Sequence, residues 1–235
     1  MAVIFDCSSD IAMFRKPYTT TSSVSFAFLP PTAAAGLICA IIGEDNESAD
    51  DGCNAAYWRR MAGTSIAVKI CSPVRWFRGA LNFWNVKEPQ KSPHIQVKHQ
   101  FLYAPKYRVF VKGTLEERLN EKLSKGEFIY TPYLGMAYAI SDIAYVGKCD
   151  DAPLDGYSGA VDSVIPLAEG VSVDFSATKR IFKEIMPFEF DEKRALKNSL
   201  QVLYSDGVNK IVLKEKGKAN VARCMEDVIA WFPEW

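Results

Sequence analysis

A short basic and hydroxyl-rich stretch near the N-terminus carries side chains that are well suited to contacting phosphate. It combines two cations, an aromatic ring and four hydroxyl-bearing residues between Phe14 and Ser22. Arg, Lys and hydroxyl groups are the usual donors to phosphate oxygens, and an exposed aromatic ring can stack on a base. A solvated loop would have the same composition. The candidate RNA contacts in this stretch are Arg15, Lys16, Tyr18, Thr19, Thr20, Thr21 and Ser22.

A second candidate surface is hidden by the neutrality of the whole chain. The chain has 28 Lys and Arg residues against 28 Asp and Glu residues, but eleven cations and one anion between Trp58 and Lys112 give a local charge of +10. Aromatic residues are interleaved with these cations. Single-stranded RNA binding requires cations for the backbone and aromatic faces for the bases, although solvent-facing strand residues over an aromatic core give a similar pattern. The candidate contacts here are Arg75, Arg78, Lys87, Lys91, His94, Lys98 and His99.

The two histidines also allow a catalytic hypothesis. Metal-independent RNA cleavage needs a base for the 2′-hydroxyl and an acid or cation at the leaving oxygen, and His94 and His99 lie among lysines. The sequence contains no Walker phosphate loop and no carboxylate or histidine cluster with metal-ligand spacing. We therefore predict no cofactor and no metal, and an endoribonuclease is the alternative to a non-catalytic RNA-binding protein.

The basic stretch leads into an apolar segment that is predicted to be a buried helix. Thr32 is a possible N-cap, and Gly43 can adopt the left-handed conformation that ends a helix. The residues between them are all apolar or glycine, which predicts burial on every side. The segment is too short to span a bilayer.

The remaining periodicity predicts an α+β domain over residues 1–147. The order is strand, helix, strand, strand, helix, strand, with the second strand continuing from Thr64 past Pro73 to Trp84 and a helix that stops at Gly126. This βαββαβ order is typical of ferredoxin-like and RNA-recognition domains. The long polar segment from Asn85 to Gln100 is predicted to be an insertion between the second and third strands.

Residues 148–235 are predicted to form a small β-rich C-terminal part. Leu200–Tyr204 and Lys210–Leu213 flank the turn signal Asp206-Gly207, which predicts a hairpin. The segment from Asn220 to Phe232 fits a helix or a strand equally well.

The six cysteines favour a reducing compartment. None has zinc-finger spacing, and Cys39 and Cys71 are predicted to be free core residues. The N-terminus lacks the features of a signal peptide. We therefore predict a cytoplasmic location.

Three motifs carry a family resemblance when they are taken in order. They are the Phe14–Ser22 stretch with the Pro-Pro-Thr helix start that follows it, the run from Ala104 to Val111, and Tyr130–Met136 followed by Ser141-Asp142-Ile143. Together they resemble the fifth CRISPR-associated (Cas) family, which is a subunit of type I Cascade within the RAMP superfamily. The type I-B branch is the most similar. The resemblance covers about residues 1–147 and is loose beyond them.

The resemblance implies a non-catalytic subunit that grips the 5′ handle of the CRISPR RNA (crRNA). A β-hairpin thumb, at about residues 85–105, is expected to pass over the RNA and to contact the seventh-family Cas backbone subunits. Another face is expected to hold the eighth-family large subunit. Target DNA would be reached through the complex, and no membrane is implied. The type I-C branch cuts its own repeat RNA, but His94 and His99 do not align with its catalytic residues.

Overall fold

The computed structural model describes residues 1–19, 22–45, 55 and 57–235, with only the backbone of Tyr57. Two of the predicted RNA contacts, Thr20 and Thr21, lie outside the described residues. No helix within the described ranges is long and apolar enough to cross a membrane.

The first 149 residues contain one four-stranded sheet, a long hairpin and helices. The strands are β1 (Ala2–Ser8), β2 (Ile11–Ala12), β3 (Thr64–Ile70), β4 (Trp76–Trp84), β5 (His94–Tyr103), β6 (Lys106–Gly113) and β7 (Asp142–Cys149). The described helices are α1 (Pro31–Ile42), α2 (Tyr57–Arg60) and α3 (Glu116–Lys125).

The four-stranded sheet is antiparallel throughout and is buried on both faces. Its strand order is β3-β6-β1-β7. Val3 and Phe5 on one face of β1 pack in the cluster that contains α1, whereas Ile4 on the other face packs with Ile229 and Trp231 from the C-terminal region. Burial on both faces explains why β1 reads as a continuous apolar run.

The predicted insertion is a hairpin that begins earlier than the sequence pattern indicated. The segment Trp76–Trp84 was expected to continue β3, but β3 ends at Ile70, and β4 pairs along its whole length with β5. Pro73 lies between β3 and β4 and has no N–H to donate to a ladder. The hairpin therefore runs from Trp76 to Tyr103, so that its first arm lies outside the expected range of 85–105.

The C-terminal region is built from short strands in three small sheets. The strands are β8 (Ala152–Pro153), β9 (Gly159–Val161), β10 (Ile165–Pro166), β11 (Ser172–Val173), β12 (Phe182–Phe190), β13 (Leu196–Tyr204), β14 (Ile211–Glu215), β15 (Val221–Cys224) and β16 (Asp227–Ala230). The sheet orders are β10-β13-β12, β11-β14-β9 and β16-β15-β8. The segment that fitted a helix or a strand is thus a strand pair.

The hairpin predicted across Asp206-Gly207 is wrong, because β13 and β14 belong to different sheets. The Asp206 carboxylate accepts hydrogen bonds from the backbone N–H groups of Val208 and Asn209 at 3.1 and 3.0 Å. The Asp206 carbonyl accepts one from the N–H of Val74 at 2.9 Å. These bonds dock the turn against the segment that follows β3 instead of closing a hairpin.

The hydrophobic core crosses residue 147. Met186, Phe188, Val202 and Phe232 from the C-terminal strands share one buried cluster with α1 and the main sheet. The division into units at 1–147 and 148–235 stays a prediction.

The cysteines are only partly as expected. Cys39 is free and buried, and Cys71 is free and half-buried. Burial raises the pKa of the Cys39 thiol to about 12. Cys149 and Cys224, however, form a disulfide with a Cα–Cα distance of 5.9 Å, which is within the usual range. Their separation of 75 residues hid this pairing from sequence reasoning.

Candidate nucleic-acid interface

The β4–β5 hairpin, called the thumb below, has two chemically different faces. Residues that pair across an antiparallel ladder share a face, and successive residues alternate between faces. The ladder registers Arg78 with Gln100, Ala80 with Lys98 and Asn82 with Gln96 on the polar face. The apolar face carries Phe77, Leu81, Phe83, Ile95, Val97, His99 and Phe101.

The polar face of the thumb combines cations with exposed aromatic rings. Arg78 and Lys98 are exposed. At the tip, Trp84 is 72% exposed, and its ring lies 4.6 Å from that of His94. Trp76 is also exposed at the base of this face. Cations beside rings that are free to stack are what an unpaired RNA strand requires.

Ion pairing explains why the positive charge concentrates on the thumb. Seven of the eleven cations between Trp58 and Lys112 pair with acids, namely Arg59, Arg60, Lys69, Lys91, Lys106, Arg108 and Lys112. In the part of the chain that the structure describes, Arg75, Arg78, Lys87 and Lys98 have no acidic partner within 4 Å. Three of these four open cations, Arg78, Lys87 and Lys98, lie on the thumb, and Arg75 immediately precedes it.

His99, which the sequence predicts to contact RNA, is buried within the thumb. It is 7% exposed on the apolar face, and its ring lies 5.7 Å from Phe83 and 5.6 Å from Phe101. Its Nδ1 is 2.9 Å from the Val97 carbonyl oxygen. His94 lies on the opposite face, because side chains alternate along a strand and an odd number of positions separates it from His99. The alternation of β5 turns the His99 ring into the aromatic ladder, and its role as an RNA contact stays a prediction.

The basic N-terminal stretch contributes one arm of an antiparallel pair, called the strap below, whose described residues are Phe14–Thr19 and Ser22–Phe26. Lys16 donates its backbone N–H to the Val24 carbonyl, and Phe26 donates to that of Phe14, both at 2.8 Å. The return arm is attached to the thumb, because Ser23 donates to the Lys98 carbonyl at 2.9 Å and Gln100 donates to the Ser23 carbonyl at 2.8 Å. The structure thus joins the two sequence-predicted surfaces through one backbone ladder.

The predicted contacts within the strap differ in accessibility. Arg15 is exposed and donates from Nη2 to the Thr19 carbonyl at 2.8 Å. Tyr18 and Ser22 are also exposed, and Thr19 is half-buried, with its hydroxyl donating to the Lys16 carbonyl. Arg15, Tyr18 and Ser22 are therefore accessible, and their role as RNA contacts stays a prediction.

Lys16, which the sequence predicts to contact RNA, has its ammonium engaged within the protein. The side chain is 15% exposed and forms an ion pair with Glu184 of β12, and Nζ lies 5.2 Å from the centre of the Phe26 ring. Burial by itself lowers the pKa of Lys16, but the hydrogen bond and charge of Glu184 outweigh burial and raise it. Lys16 therefore anchors the strap to β12 instead of facing solvent.

The apolar face of the thumb is covered only near its base. Phe101 is buried with Met13, Met136 and Ala139. Phe77, which pairs with Phe101 near the base, is exposed, and so are Phe83 and Ile95 nearer the tip. Neighbouring exposed apolar side chains of this kind are typical of an interaction surface.

A cavity of about 740 Å³ opens beside the strap, and sequence reasoning missed it. Its lining includes Arg15 from the strap, Tyr130 and Tyr133 from the segment before β7, and Arg194 from the β12–β13 turn. The third family-like motif marks the two tyrosines. Arg194 lies in the loosely matching C-terminal region, where no signal pointed to it.

The helix beside this cavity corrects the prediction of burial on every side. Gly36 of α1 is exposed, and together with Ala33 and Ala40 it lines the cavity. Pro30 is the N-cap and makes no side-chain capping bond, so Thr32 does not cap the helix. Gly43 ends α1 in the left-handed conformation, with φ of 79°, as predicted. No group of three or more His, Cys, Asp or Glu side chains among the described residues forms a candidate metal site.

Comparison with known proteins supports the family resemblance. The family model described as "CRISPR-associated protein (Cas_Cas5)" matches residues 2–201. No curated protein matches the sequence. A chain of a "CRISPR RNA-guided surveillance complex" superposes with a TM-score of 0.58 at 12% identity, and the match covers 91% of this chain and 92% of that chain.

Two further solved structures have the same fold. A CRISPR protein from Archaeoglobus fulgidus gives a TM-score of 0.58 at 15% identity, covering 98% of this chain and 99% of its own. A chain of the type III-B Cmr-beta complex bound to cognate target RNA gives 0.51 at 12% identity, covering 89% and 86%. The match of the family model over most of the chain shows that this protein belongs to the CRISPR-associated Cas5 family.

Proposed function

We propose that this protein is a non-catalytic crRNA-binding subunit of a type I CRISPR effector complex, acting in antiviral defence or RNA-guided DNA targeting. Family membership supports a subunit of a CRISPR effector. The main support is that Arg78 and Lys98, which no described acid approaches within 4 Å, share one thumb face with Trp76 and Trp84. A strand lying on this face would place phosphates on the cations and bases on the rings. The 5′ handle of the guide is the segment we assign to it.

The two faces of the thumb suggest a division of partners. The polar face would hold RNA. The exposed Phe77, Phe83 and Ile95 of the apolar face would pack against a seventh-family backbone subunit, because an interface core is depleted of charge and rich in aromatic residues. The eighth-family large subunit would bind elsewhere, and target DNA would be reached through the assembled complex.

We also propose a ferredoxin-like core, membership of a type I-B complex and a cytoplasmic location. The strand order β3-β6-β1-β7 with antiparallel neighbours supports a ferredoxin-like core. The three sequence motifs support a type I-B complex. The cytoplasm is the proposed location, since a guide-RNA complex meets its RNA there.

The non-catalytic assignment is supported by the positions of the histidines. His99 lies inside the aromatic ladder, and His94 lies on the other face of the same strand. The two rings therefore cannot approach one phosphodiester together as base and acid, which is the arrangement that the alternative endoribonuclease requires.

The test is a binding and cleavage experiment with the purified full-length chain, a chelator and labelled repeat RNA. Full repeat, free 5′ handle and scrambled handle are compared at low and high salt. Handle-selective binding without cleavage supports the proposal. Cleavage at one position, lost in His94→Ala but retained in Lys125→Ala, would establish the ribonuclease instead. If the chain alone does not bind, the experiment is repeated on the co-expressed complex, where absence of handle contact would refute the proposal.

A further inference from the structure

The cavity beside α1 has a wall of small side chains. Thr32, Ala33, Gly36 and Ala40 line it at helical spacing, so that they share one face of α1. A Cβ placed on Gly36 would meet no atom within 4 Å. This wall therefore presents a shallow surface against which a planar ring can lie.

The cavity is also lined by two accessible tyrosines. The backbone N–H of Tyr130 donates to the Ala40 carbonyl at 3.0 Å, which fixes this segment beside α1. Tyr130 and Tyr133 are 48% and 47% exposed. On the β12 side, the rings of Trp58 and Phe190 lie 5.6 Å apart. Exposed tyrosine rings at a concave site can stack on a planar ligand.

Two guanidinium groups give the cavity its charge preference. Arg15 comes from the strap, and Arg194 from the β12–β13 turn, where its φ is 63°. Neither has an acidic partner within 4 Å among the residues that the structure describes. The lining also contains two acids: Glu44 pairs with Arg60 and Arg118, and Asp45 is engaged in an interaction of its own. Arg is the side chain that best recognises phosphate by paired hydrogen bonds.

We propose that this cavity receives one unstacked nucleobase of the guide RNA, with the adjoining phosphates on Arg15 and Arg194. The ring would lie on the Gly36 wall next to the tyrosines. The volume is within the usual range for a small-ligand site. The strap leads from Arg15 at the cavity to Ser23 on the thumb, so that one RNA strand can follow both. The inference rests on the proposed function, because it adds a second contact to the same RNA.

The test fills the cavity without removing any contact of the protein. Gly36→Leu places a side chain where the base would lie, and the space around Gly36 leaves the core untouched. Gly36→Ala is the matched control, since it adds one methyl group and raises helix propensity. Both purified variants are assayed against repeat RNA, intact or with a single abasic nucleotide at each handle position in turn.

At one handle position, the effect of removing the base on RNA affinity should depend on the residue at position 36. We expect the wild-type protein and Gly36→Ala to lose about tenfold in affinity when that position is abasic, consistent with the stacking energy of one base. Gly36→Leu should bind intact RNA about tenfold more weakly and lose nothing further at that position. Such non-additivity identifies the base in the cavity.

Three results would overturn the inference. Gly36→Leu could bind intact RNA within twofold of wild type. Alternatively, its loss of affinity could combine multiplicatively with the loss caused by an abasic nucleotide at every handle position. It could also keep its RNA affinity while a protein subunit is lost from the co-purified complex, in which case the cavity is a protein-docking site. In each case weakened RNA binding by Arg78→Ala would show that the proposed function stands. If neither the wild-type chain nor its complex contacts the handle, the proposed function itself fails.

Discussion

Few side chains carry the charge that the thumb can offer to RNA. Arg78 and Lys98 lie on its polar face and have no acidic partner in the described part of the chain, whereas Lys69 and Arg108 of the neighbouring sheet are bound to Asp227 and Asp6. A cation that is already neutralised gains little from a phosphate, whereas an open one releases counterions when RNA binds. The salt dependence of RNA binding should therefore depend on the thumb.

Replacing either open cation should make RNA binding less sensitive to salt. For Arg78→Ala and for Lys98→Ala we expect the slope of log K against log salt to decrease by about 0.7 per lost phosphate contact. Fluorescence anisotropy with handle RNA over a range of KCl concentrations measures this slope. Lys125→Ala is the control, because Lys125 is exposed on α3 and pairs with Glu121. Equal slopes for all three variants would contradict the assignment of the thumb as the RNA face.

The two histidines should give opposite results when they are replaced. His99→Ala removes a ring stacked between Phe83 and Phe101, and we expect the free energy of unfolding to fall by about 1–3 kcal/mol. His94→Ala should leave stability within about 0.5 kcal/mol and weaken RNA binding instead. Urea denaturation and RNA titration of both variants decide this. If His94→Ala lost stability and His99→Ala did not, the structural role would belong to His94 and not to His99.

The residue types in the sequence were sufficient to locate the basic surface. They did not show which of its cations are paired with acids and which are open to solvent. Lys16 and Lys98 are equally plausible phosphate contacts in the sequence. They differ because Glu184, which is 168 positions from Lys16, reaches Lys16, and no described acid reaches Lys98. Partners this distant depend on tertiary folding, and local pattern contains no information about them.

At the scale of elements, the strap couples three parts of the molecule. Its return arm bonds to β5 through Ser23, and its outgoing arm is held to β12 by the Lys16–Glu184 ion pair. Both charged side chains of this pair are largely buried. Removing one of them would leave the other charge without compensation in a poorly solvated place.

Replacing one member of the Lys16–Glu184 pair should destabilise the protein because the other charge is left unpaired. Replacing both members should therefore cost less than the sum of the two single losses. Lys16→Met and Glu184→Met should each lower the free energy of unfolding by about 2 kcal/mol, whereas the double variant should lose less than the sum of the two. Chemical denaturation of the four proteins completes the cycle. The exposed pair Lys125–Glu121 is the matched control and should show a coupling energy below about 0.5 kcal/mol. Additive losses at Lys16 and Glu184 would mean that the pair does not fasten the strap.

The helix α1 shows what an apolar pattern can and cannot predict. Its existence and its end at Gly43 followed from the sequence. Its open face did not, because burial depends on which neighbours pack against each side. Small side chains at Ala33, Gly36 and Ala40 would allow another element to pack closely against the helix, and they would equally allow the helix to line a cavity. In the structure they line the cavity.

At the scale of the whole molecule, β15, β16 and the residue that follows them cover the face of the main sheet opposite α1. Trp231 and Ile229 pack there on Ile4 and Phe110, and the Cys149–Cys224 disulfide joins β7 to β15 beside them. The cross-link closes a long stretch of chain. It should therefore stabilise the folded state mainly by restricting the unfolded chain.

Reduction of this disulfide should weaken the whole molecule. We expect a reductant to lower the free energy of unfolding by about 4 kcal/mol, which is the entropic value for a loop of this length. Denaturation with and without reductant measures the difference, and non-reducing electrophoresis of the denatured chain detects the bond. The double variant Cys149→Ser/Cys224→Ser is the control and should not respond to reductant. A wild-type protein that is equally stable in both conditions would contradict the stabilising role.

The elements β1, α1, β3, β6, α3 and β7 were predictable because each has a local period and a local stop, whereas β4 was not, because Trp76–Trp84 has the pattern of a continuation of β3. The C-terminal architecture was not, since its strands are as short as two residues and pair across long sequence separations. Short strands provide too few alternations to reveal a face. The hairpin expected at Asp206-Gly207 failed for a different reason, because a turn signal does not specify which strand will pair with its flanks.

The central claim is that the polar face of the thumb contacts the guide RNA, and photocrosslinking tests it most directly. Guide RNA with 4-thiouridine at single handle positions is assembled with the protein and its co-expressed subunits, irradiated, digested and mapped by mass spectrometry. We predict crosslinks to peptides that contain Trp76, Trp84 or His94–Lys98, and their loss in the double charge reversal Arg78→Glu/Lys98→Glu. Crosslinks confined to the C-terminal sheets, unchanged by that reversal, would contradict the account.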